Sequence, residues 1–208
     1  MINHKAIIMR KYLIKLLVLS TIFCSINTSF AAGDPVQMLS KLADTTLTEI
    51  HTYNVEIKKD KKVLYKILEQ TIIPHVDFNE MALWIAGKSS WRGASEKERN
   101  EFISEFKILV LRTYSHFLLG VSDEKLTFKP NRHSNGKRLQ VSGTIIRSNG
   151  EVIDIDYRLV DVGQWKIYDV VVQGVSLLKG FQAQFSDKIR KKGLTIVIQE
   201  IAEHNNQR

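Results

Sequence analysis

Cysteine is almost absent from this sequence of 208 residues, and the common catalytic and metal-binding motifs are absent too. The single cysteine, Cys24, lies near the N-terminus, so residues 32–208 can form neither a disulfide nor a cysteine-ligated zinc site. Histidines in that part never lie three or four positions apart, the spacing that puts two metal ligands on one helix face. No phosphate-binding glycine loop, dinucleotide fingerprint or G-x-S-x-G nucleophile motif occurs. We therefore expect no metal, no cofactor and no catalytic residues.

Long hydrophobic runs are also missing. The apolar stretch over residues 16–23 is well short of the about 20 residues that a membrane-spanning helix needs. It follows a positively charged segment that contains Lys5, Arg10, Lys11 and Lys15. Ser29-Phe30-Ala31 then puts small residues at the two positions that a signal peptidase reads. The pattern predicts a signal peptide over residues 1–31 and a single exported domain over residues 32–208.

A strong charge of either sign is lacking once the predicted signal peptide is removed. Four of the thirty basic residues and none of the twenty-two acidic ones lie in residues 1–31, so the remaining chain has a net charge of +4. This mild charge fits solubility and weak attraction to anionic membrane surfaces, but it is too small to indicate nucleic-acid binding.

Helical periodicity fills the first half of the predicted domain. Apolar residues three or four positions apart predict helices over residues 36–57, 63–73, 78–86 and 96–120, with a solvated turn over residues 58–62. Asp34 with Pro35, Asp77 with Glu80, and Ser95 with Glu98 are typical helix starts. Pro74 and Gly87 are typical helix ends.

The period then changes to two, which predicts strands over residues 126–129, 138–147, 151–160 and 165–172. Asn149-Gly150 marks a hairpin turn between the second and third strands. After Gly174 the helical period returns over residues 177–192, and a last helix follows over residues 194–204. The class is α+β: N-terminal helices pack in the concavity of a curved four-stranded antiparallel sheet.

Acidic residues in the strands have structural explanations. Asp154 and Asp156 share one strand face with Arg158, which favours cross-strand ion pairs over a metal site or a catalytic carboxylate pair. Asp169 lies in an otherwise apolar strand, so it needs a backbone amide or a basic side chain as its partner. We assign Asp169 and the neighbouring Tyr168 to the scaffold.

Apolar faces occur on both the helices and the sheet, and no catalytic set accompanies them. This combination predicts an internal apolar pocket rather than an active site. Such a pocket suits lipids, because an acyl chain gains about 0.8 kcal/mol for each buried CH₂ group.

Short motifs along residues 74–193 resemble the MlaC family of periplasmic phospholipid-binding proteins, also described as toluene-tolerance proteins. They are Pro74-His75-Val76-Asp77-Phe78 with Met81-Ala82, Trp91-Arg92 before Glu98-Arg99 and Phe102, Trp165-x-x-Tyr168-Asp169 before Gly174-Val175-Ser176, and Arg190-x-Lys192-Gly193. The position of His75 is often aromatic in that family, so the match departs from the family pattern there.

The resemblance implies an NTF2-like cradle that holds acyl chains between sheet and helices and leaves the headgroup largely exposed. It implies a monomeric periplasmic shuttle that moves phospholipid between membrane complexes and thereby maintains outer-membrane lipid asymmetry. The implied partners are phospholipid, an outer-membrane lipoprotein–porin complex and an inner-membrane ABC transporter with an MCE-type subunit.

The apolar pattern proposes eleven side chains for lipid contact in such a cradle, with a place in the ordinary core as the alternative for each of them. They are Phe106, Val110 and Tyr114 from the longest helix, Ile153, Ile155, Tyr157, Val170 and Val172 from the sheet, and Val175, Leu178 and Phe181 at the mouth. An alternative is a small NTF2-like enzyme acting on a hydrophobic substrate, with Asp169 as general base in the apolar pocket.

Overall fold

Helices precede and follow a single sheet in the described part of the chain. The computed structural model describes residues 33–120, 124–134 and 136–207, so the predicted signal peptide lies outside the described residues. The helices are α1 (Pro35–Thr52), α2 (Asn54–Lys59), α3 (Lys61–Thr71), α4 (Phe78–Ala86), α5 (Lys88–Gly93), α6 (Glu96–Gly120), α7 (Leu177–Lys192) and α8 (Leu194–Asn206). The strands are β1 (Lys125–Ser134), β2 (Arg138–Ile146), β3 (Val152–Asp161), β4 (Trp165–Val172) and β5 (Val175–Ser176).

The first helical region differs from its prediction at two points. The helix predicted over residues 36–57 is divided at Tyr53, whose φ of −101° and ψ of 21° lie outside the helical range. The hydroxyl of Thr52 donates to the carbonyl of Thr48 there, and such back-bonding is known to bend helices. The charged residues 58–62, predicted as a turn, are helical except for Asp60, which caps α3 by accepting the N–H of Lys62 at 2.9 Å.

The helix starts that the sequence predicts are confirmed. Asp34 accepts the N–H of Val36 and Asp77 accepts the N–H of Glu80, each at 2.9 Å. Ser95 and Glu98 form a reciprocal capping box, in which the Ser95 N–H donates to Glu98 Oε2 at 2.9 Å and the Glu98 N–H donates to Ser95 Oγ at 3.2 Å. These local bonds position the helices because each satisfies a backbone donor that the helix itself cannot use.

Replacing Glu98 with glutamine should lower the melting temperature by a few degrees at pH 7. Glu98 also accepts the hydroxyl of Thr195 at 2.7 Å, and this bond joins the start of α6 to α8. The Thr195 bond, followed by the bonds from Ser95, lowers the pKa of Glu98 from 4.5 to about 2.

A lowered pKa means that the stabilisation from Glu98 is complete above about pH 4.5 and is lost as the pH falls through about 2. Thermal melts at several pH values should therefore show that the melting temperatures of wild type and Glu98→Gln become equal in acid. Glu96→Gln, in the same helix turn, is the matched control and should change little. A difference between Glu98→Gln and wild type that is independent of pH would contradict this assignment.

All five strands pair antiparallel in the order β1-β2-β3-β4-β5, and the α+β class with its open curved sheet is confirmed. The sequence predicted four strands. Strand β1 is longer than predicted, and β5 was missed because two residues are too few to show an alternating pattern. The link to β5 is a two-residue turn in which Gln173 has a φ of 49° and Gly174 a φ of 79°.

A β-bulge in β4 sets which of its side chains face inwards. Arg158 pairs with Asp169 and Leu159 pairs with Ile167, so Tyr168 is an extra residue on β4. Strand partners lie on the same face of a sheet. Val170 and Val172 therefore share the face of Ile167, although plain alternation would place them opposite. The bulge explains why β4 appears apolar on both faces in the sequence.

Four apolar clusters occur in the described residues, and two of them show how the helices pack on one another and on this inner face. Leu39 of α1 packs on Val141, Leu159 and Ile167, which places α1 across the sheet. The larger cluster contains side chains from all five helices α4, α5, α6, α7 and α8. Within it the ring of Phe106 contacts two other rings, with centroid distances of 5.8 Å to Phe102 and 4.9 Å to Phe181. Among the described helices, none combines the length and the apolar character that crossing a bilayer requires.

Candidate functional site

Between the sheet and the helices lies a cavity of about 470 Å³, within the about 300–1,000 Å³ range typical of small-molecule sites. Its sheet side is formed by the inner faces of β1 to β4, and its helix side by α1, α3, α4, α6 and the start of α7. The helix side includes Leu39, Leu42, Ala43, Thr46, Leu47, Leu68, Ile72, Ile73, Val76, Phe78, Met81, Val110, Leu111, Tyr114, Ser115, Phe117, Leu118, Leu177 and Phe181. The sheet side includes Glu124, Leu126, Ile145, Ile155, Tyr157, Ile167, Asp169, Val170 and Val172.

Polar side chains in this lining are few, and half of the six among the described residues are already bonded within the protein. The Thr46 hydroxyl donates to the carbonyl of Leu42 at 2.8 Å, and the Ser115 hydroxyl donates to the carbonyl of Arg112 at 3.3 Å. Among the described residues that line the cavity, none is lysine, arginine or histidine. No group of three or more possible metal ligands occurs in the described ranges. The cavity can therefore accept hydrocarbon, whereas an unpaired charge inside it would be costly.

Asp169 fastens the end of the sheet to α7. Its carboxylate is buried and accepts three hydrogen bonds: from Arg158 Nη1 at 2.8 Å, from the Ser176 hydroxyl at 2.7 Å and from the Leu178 N–H at 2.9 Å. Ser176 in turn caps α7 by accepting the N–H of Lys179 at 3.0 Å. The partners that the sequence required are thus a basic side chain and a backbone amide. Since both carboxylate oxygens already hold structural donors, the geometry supports a scaffold role over a general base.

Two tyrosines complete the electrostatics of the cavity. Burial raises the pKa of Tyr157 on β3 above its ordinary value. Burial and then the nearby negative charge of Asp169 raise the pKa of Tyr114 on α6. Both hydroxyls are therefore neutral at physiological pH and can donate hydrogen bonds.

Seven of the eleven residues that the sequence proposed for lipid contact line the cavity. They are Val110, Tyr114, Ile155, Tyr157, Val170, Val172 and Phe181. Their contact with a lipid remains a prediction.

The other four lie elsewhere. Phe106 and Leu178 are buried in the helical cluster, and Ile153 is buried with Ile145 near one end of the sheet. Val175 points outwards and is 67% exposed. Helical and strand periodicity identified an apolar face in each case but could not show which part of that face meets other side chains and which part meets open space.

Sequence reasoning missed the wall that α1 contributes. Its apolar stripe was recognised but was not connected to the cavity, although Leu39, Leu42, Ala43, Thr46 and Leu47 all line it. The small side chains of Ala43 and Thr46 within that stripe were the available signal, because small residues on an otherwise bulky face leave space between the packed elements.

Known proteins resemble this chain in sequence and in fold. The family model described as MlaC protein matches residues 40–203. Toluene tolerance protein Ttg2D of Pseudomonas putida is 26% identical over 164 residues, which cover 78% of this chain and 76% of that protein. The intermembrane phospholipid transport system binding protein MlaC of Haemophilus influenzae is 23% identical over 204 residues, or 96% of this chain and 95% of that protein.

A solved structure extends the resemblance to three dimensions. The phospholipid-binding protein from Ralstonia solanacearum, determined in complex with a phospholipid, superposes with a TM-score of 0.75 at 26% sequence identity. The match covers 84% of this chain and 98% of the Ralstonia chain.

Proposed function

Because this chain belongs to the MlaC family, we propose that it is a periplasmic phospholipid carrier that encloses acyl chains in its apolar cavity. The observation that carries the proposal is the cavity itself, which is lined almost entirely by apolar side chains. Each enclosed CH₂ group contributes about 0.8 kcal/mol, so even part of one acyl chain suffices for binding. The related fold of the Ralstonia protein, solved with a phospholipid, supports the same class of ligand here.

The phosphate stays outside in this proposal. A buried phosphate requires cationic or multiple hydrogen-bond donors, and no described lining residue carries a positive charge. Affinity then depends on the tails, and lipids with different headgroups bind alike.

Carriage between membranes is the finer part of the proposal. The chain would receive or deliver lipid at an outer-membrane lipoprotein–porin complex and at an inner-membrane ABC transporter with an MCE-type subunit, and so maintain outer-membrane lipid asymmetry. A relative's description as an intermembrane phospholipid transport system binding protein supports this role. The predicted signal peptide and the mild net charge are consistent with an exported monomeric carrier.

Native mass spectrometry of the protein purified from its own cell envelope tests the proposal. We expect the protein to carry bound phospholipid, with headgroups roughly in proportion to their abundance in the membrane. A protein without lipid would contradict the carrier function. Recovery of one headgroup class against its abundance would contradict the external position of the phosphate and leave lipid binding intact.

A further inference from the structure

Among the described residues that line the cavity, two tyrosines carry the side-chain hydrogen-bond donors that are left unused. The hydroxyls of Thr46 and Ser115 already donate to backbone carbonyls. Asp169 is a fully engaged acceptor, and Glu124, when ionised, can only accept. Tyr157 and Tyr114 line the cavity, and neither hydroxyl has a hydrogen-bond partner among the described residues.

Tyr157 occupies the centre of the sheet wall. It pairs with Val141 on β2 and Val170 on β4, and its ring meets the ring of Phe128 at 5.6 Å and an angle of 61°. Tyr157 is partly buried and lines the cavity, and a tyrosine hydroxyl normally finds a partner where water is excluded, because an unpaired polar group there is destabilising. Phenylalanine would serve a purely apolar wall better. A hydroxyl at this place therefore points to an acceptor on the cargo.

Ester carbonyls are the acceptors that a phospholipid brings into such a cavity. They lie directly below the phosphate, at the top of the acyl chains, so they leave water when the chains enter. Each carbonyl then loses its bonds to water and needs a donor from the protein. Tyr157 on the sheet and Tyr114 on α6, whose ring packs edge-on against Phe181 at 6.1 Å, offer donors from opposite walls.

We propose that the Tyr157 hydroxyl donates a hydrogen bond to an ester carbonyl of the bound phospholipid, with Tyr114 as a second donor. The cavity thereby selects acyl-ester lipids over lipids whose chains are joined by ether bonds. This inference rests on the proposed function, since it concerns how the same cavity recognises the same class of lipid.

Competition between two lipids of the same headgroup and chain length tests it: dipalmitoyl phosphatidylcholine and its dihexadecyl ether analogue, which lacks the carbonyls. Wild type, stripped of lipid, should bind the ester about five- to tenfold more tightly than the ether. Tyr157→Phe should lose most of that preference through weaker ester binding, with ether binding unchanged. Tyr114→Phe should reduce the preference less.

Tyr168→Phe is the matched control. Tyr168 does not line the cavity, and its ring lies below Arg138 at 5.4 Å from the guanidinium carbon, so this variant should keep the wild-type preference. Tyr157→Phe should melt at the wild-type temperature or above, because the removed hydroxyl bonds no described residue.

The outcomes separate this inference from the proposed function. If neither lipid binds wild type, the carrier function fails. If wild type binds both lipids equally, or Tyr157→Phe retains the preference, ester recognition by Tyr157 is wrong while the carrier function stands. A clear loss of stability in Tyr157→Phe would show that the hydroxyl is bonded within the protein and would likewise overturn the inference.

Discussion

Replacing Asp169 with alanine is expected to lower the free energy of unfolding by about 3 kcal/mol and the melting temperature by about 6–12 °C. The carboxylate is fully buried and accepts three hydrogen bonds, so its removal leaves Ser176 and the Leu178 N–H without their partner. Arg158 loses its counter-charge but is 35% exposed, so water compensates part of that loss. The effect is large because a single side chain joins β3, β4, β5 and α7.

Thermal and urea unfolding of purified variants measure this effect. Asp154→Ala is the matched control, since Asp154 is an exposed carboxylate on β3 with no ion pair among the described residues, and its removal should cost less than about 0.5 kcal/mol. Asp169→Asn keeps the size of the side chain and one acceptor oxygen, so its loss in the free energy of unfolding should lie between those of Asp169→Ala and Asp154→Ala. If Asp169→Ala unfolds no more easily than Asp154→Ala, then the carboxylate is not a structural joint.

Local chemistry explains why much of the fold could be predicted from the sequence. A helix start such as Asp77 or Ser95 depends on residues within three positions of it, and the structure contains both caps. The strand over residues 165–172 matches its prediction for the same reason, since β-branched and aromatic residues fill it and turn residues bound it. Even the need of Asp169 for a partner followed from one acidic residue in an apolar strand.

Features that depend on contacts between residues far apart in the sequence could not be predicted in this way. The bulge at Tyr168 exists only relative to β3, where Arg158 and Leu159 take partners that are two residues apart on β4. The cavity depends on even longer separations, because Leu39 and Phe181 line the same space from opposite ends of the chain. A cavity is the place where close packing fails, and periodicity within one element cannot show how near the opposing element comes. For this reason the sequence pattern proposes Phe106 and Leu178 for the cavity wall, whereas both side chains lie in the helical core.

Val172→Trp is expected to remain folded, with a melting temperature within a few degrees of wild type. The purified variant should contain roughly one tenth of the bound lipid that wild type contains. Val172 pairs with Ile155 on the sheet wall, and both line the cavity of about 470 Å³. An indole in place of the isopropyl group would extend into that open space and exclude an acyl chain. Ile155→Trp tests the same wall from the neighbouring strand. Circular dichroism melts and lipid extraction on the same preparations measure both properties.

Val171→Trp separates a cavity from a close-packed core on the same strand. Val171 faces the other side of β4, is only 6% exposed and does not line the cavity. Because Val171 is buried and does not border the cavity, a larger side chain there should cost about 1–3 kcal/mol in overpacking, while the molecules that fold keep their lipid. If Val172→Trp is destabilised as much as Val171→Trp, the inner face of β4 is ordinary core. If Val172→Trp and Ile155→Trp both fold and carry a full lipid load, the acyl chains bind elsewhere, because a filled cavity cannot also hold them.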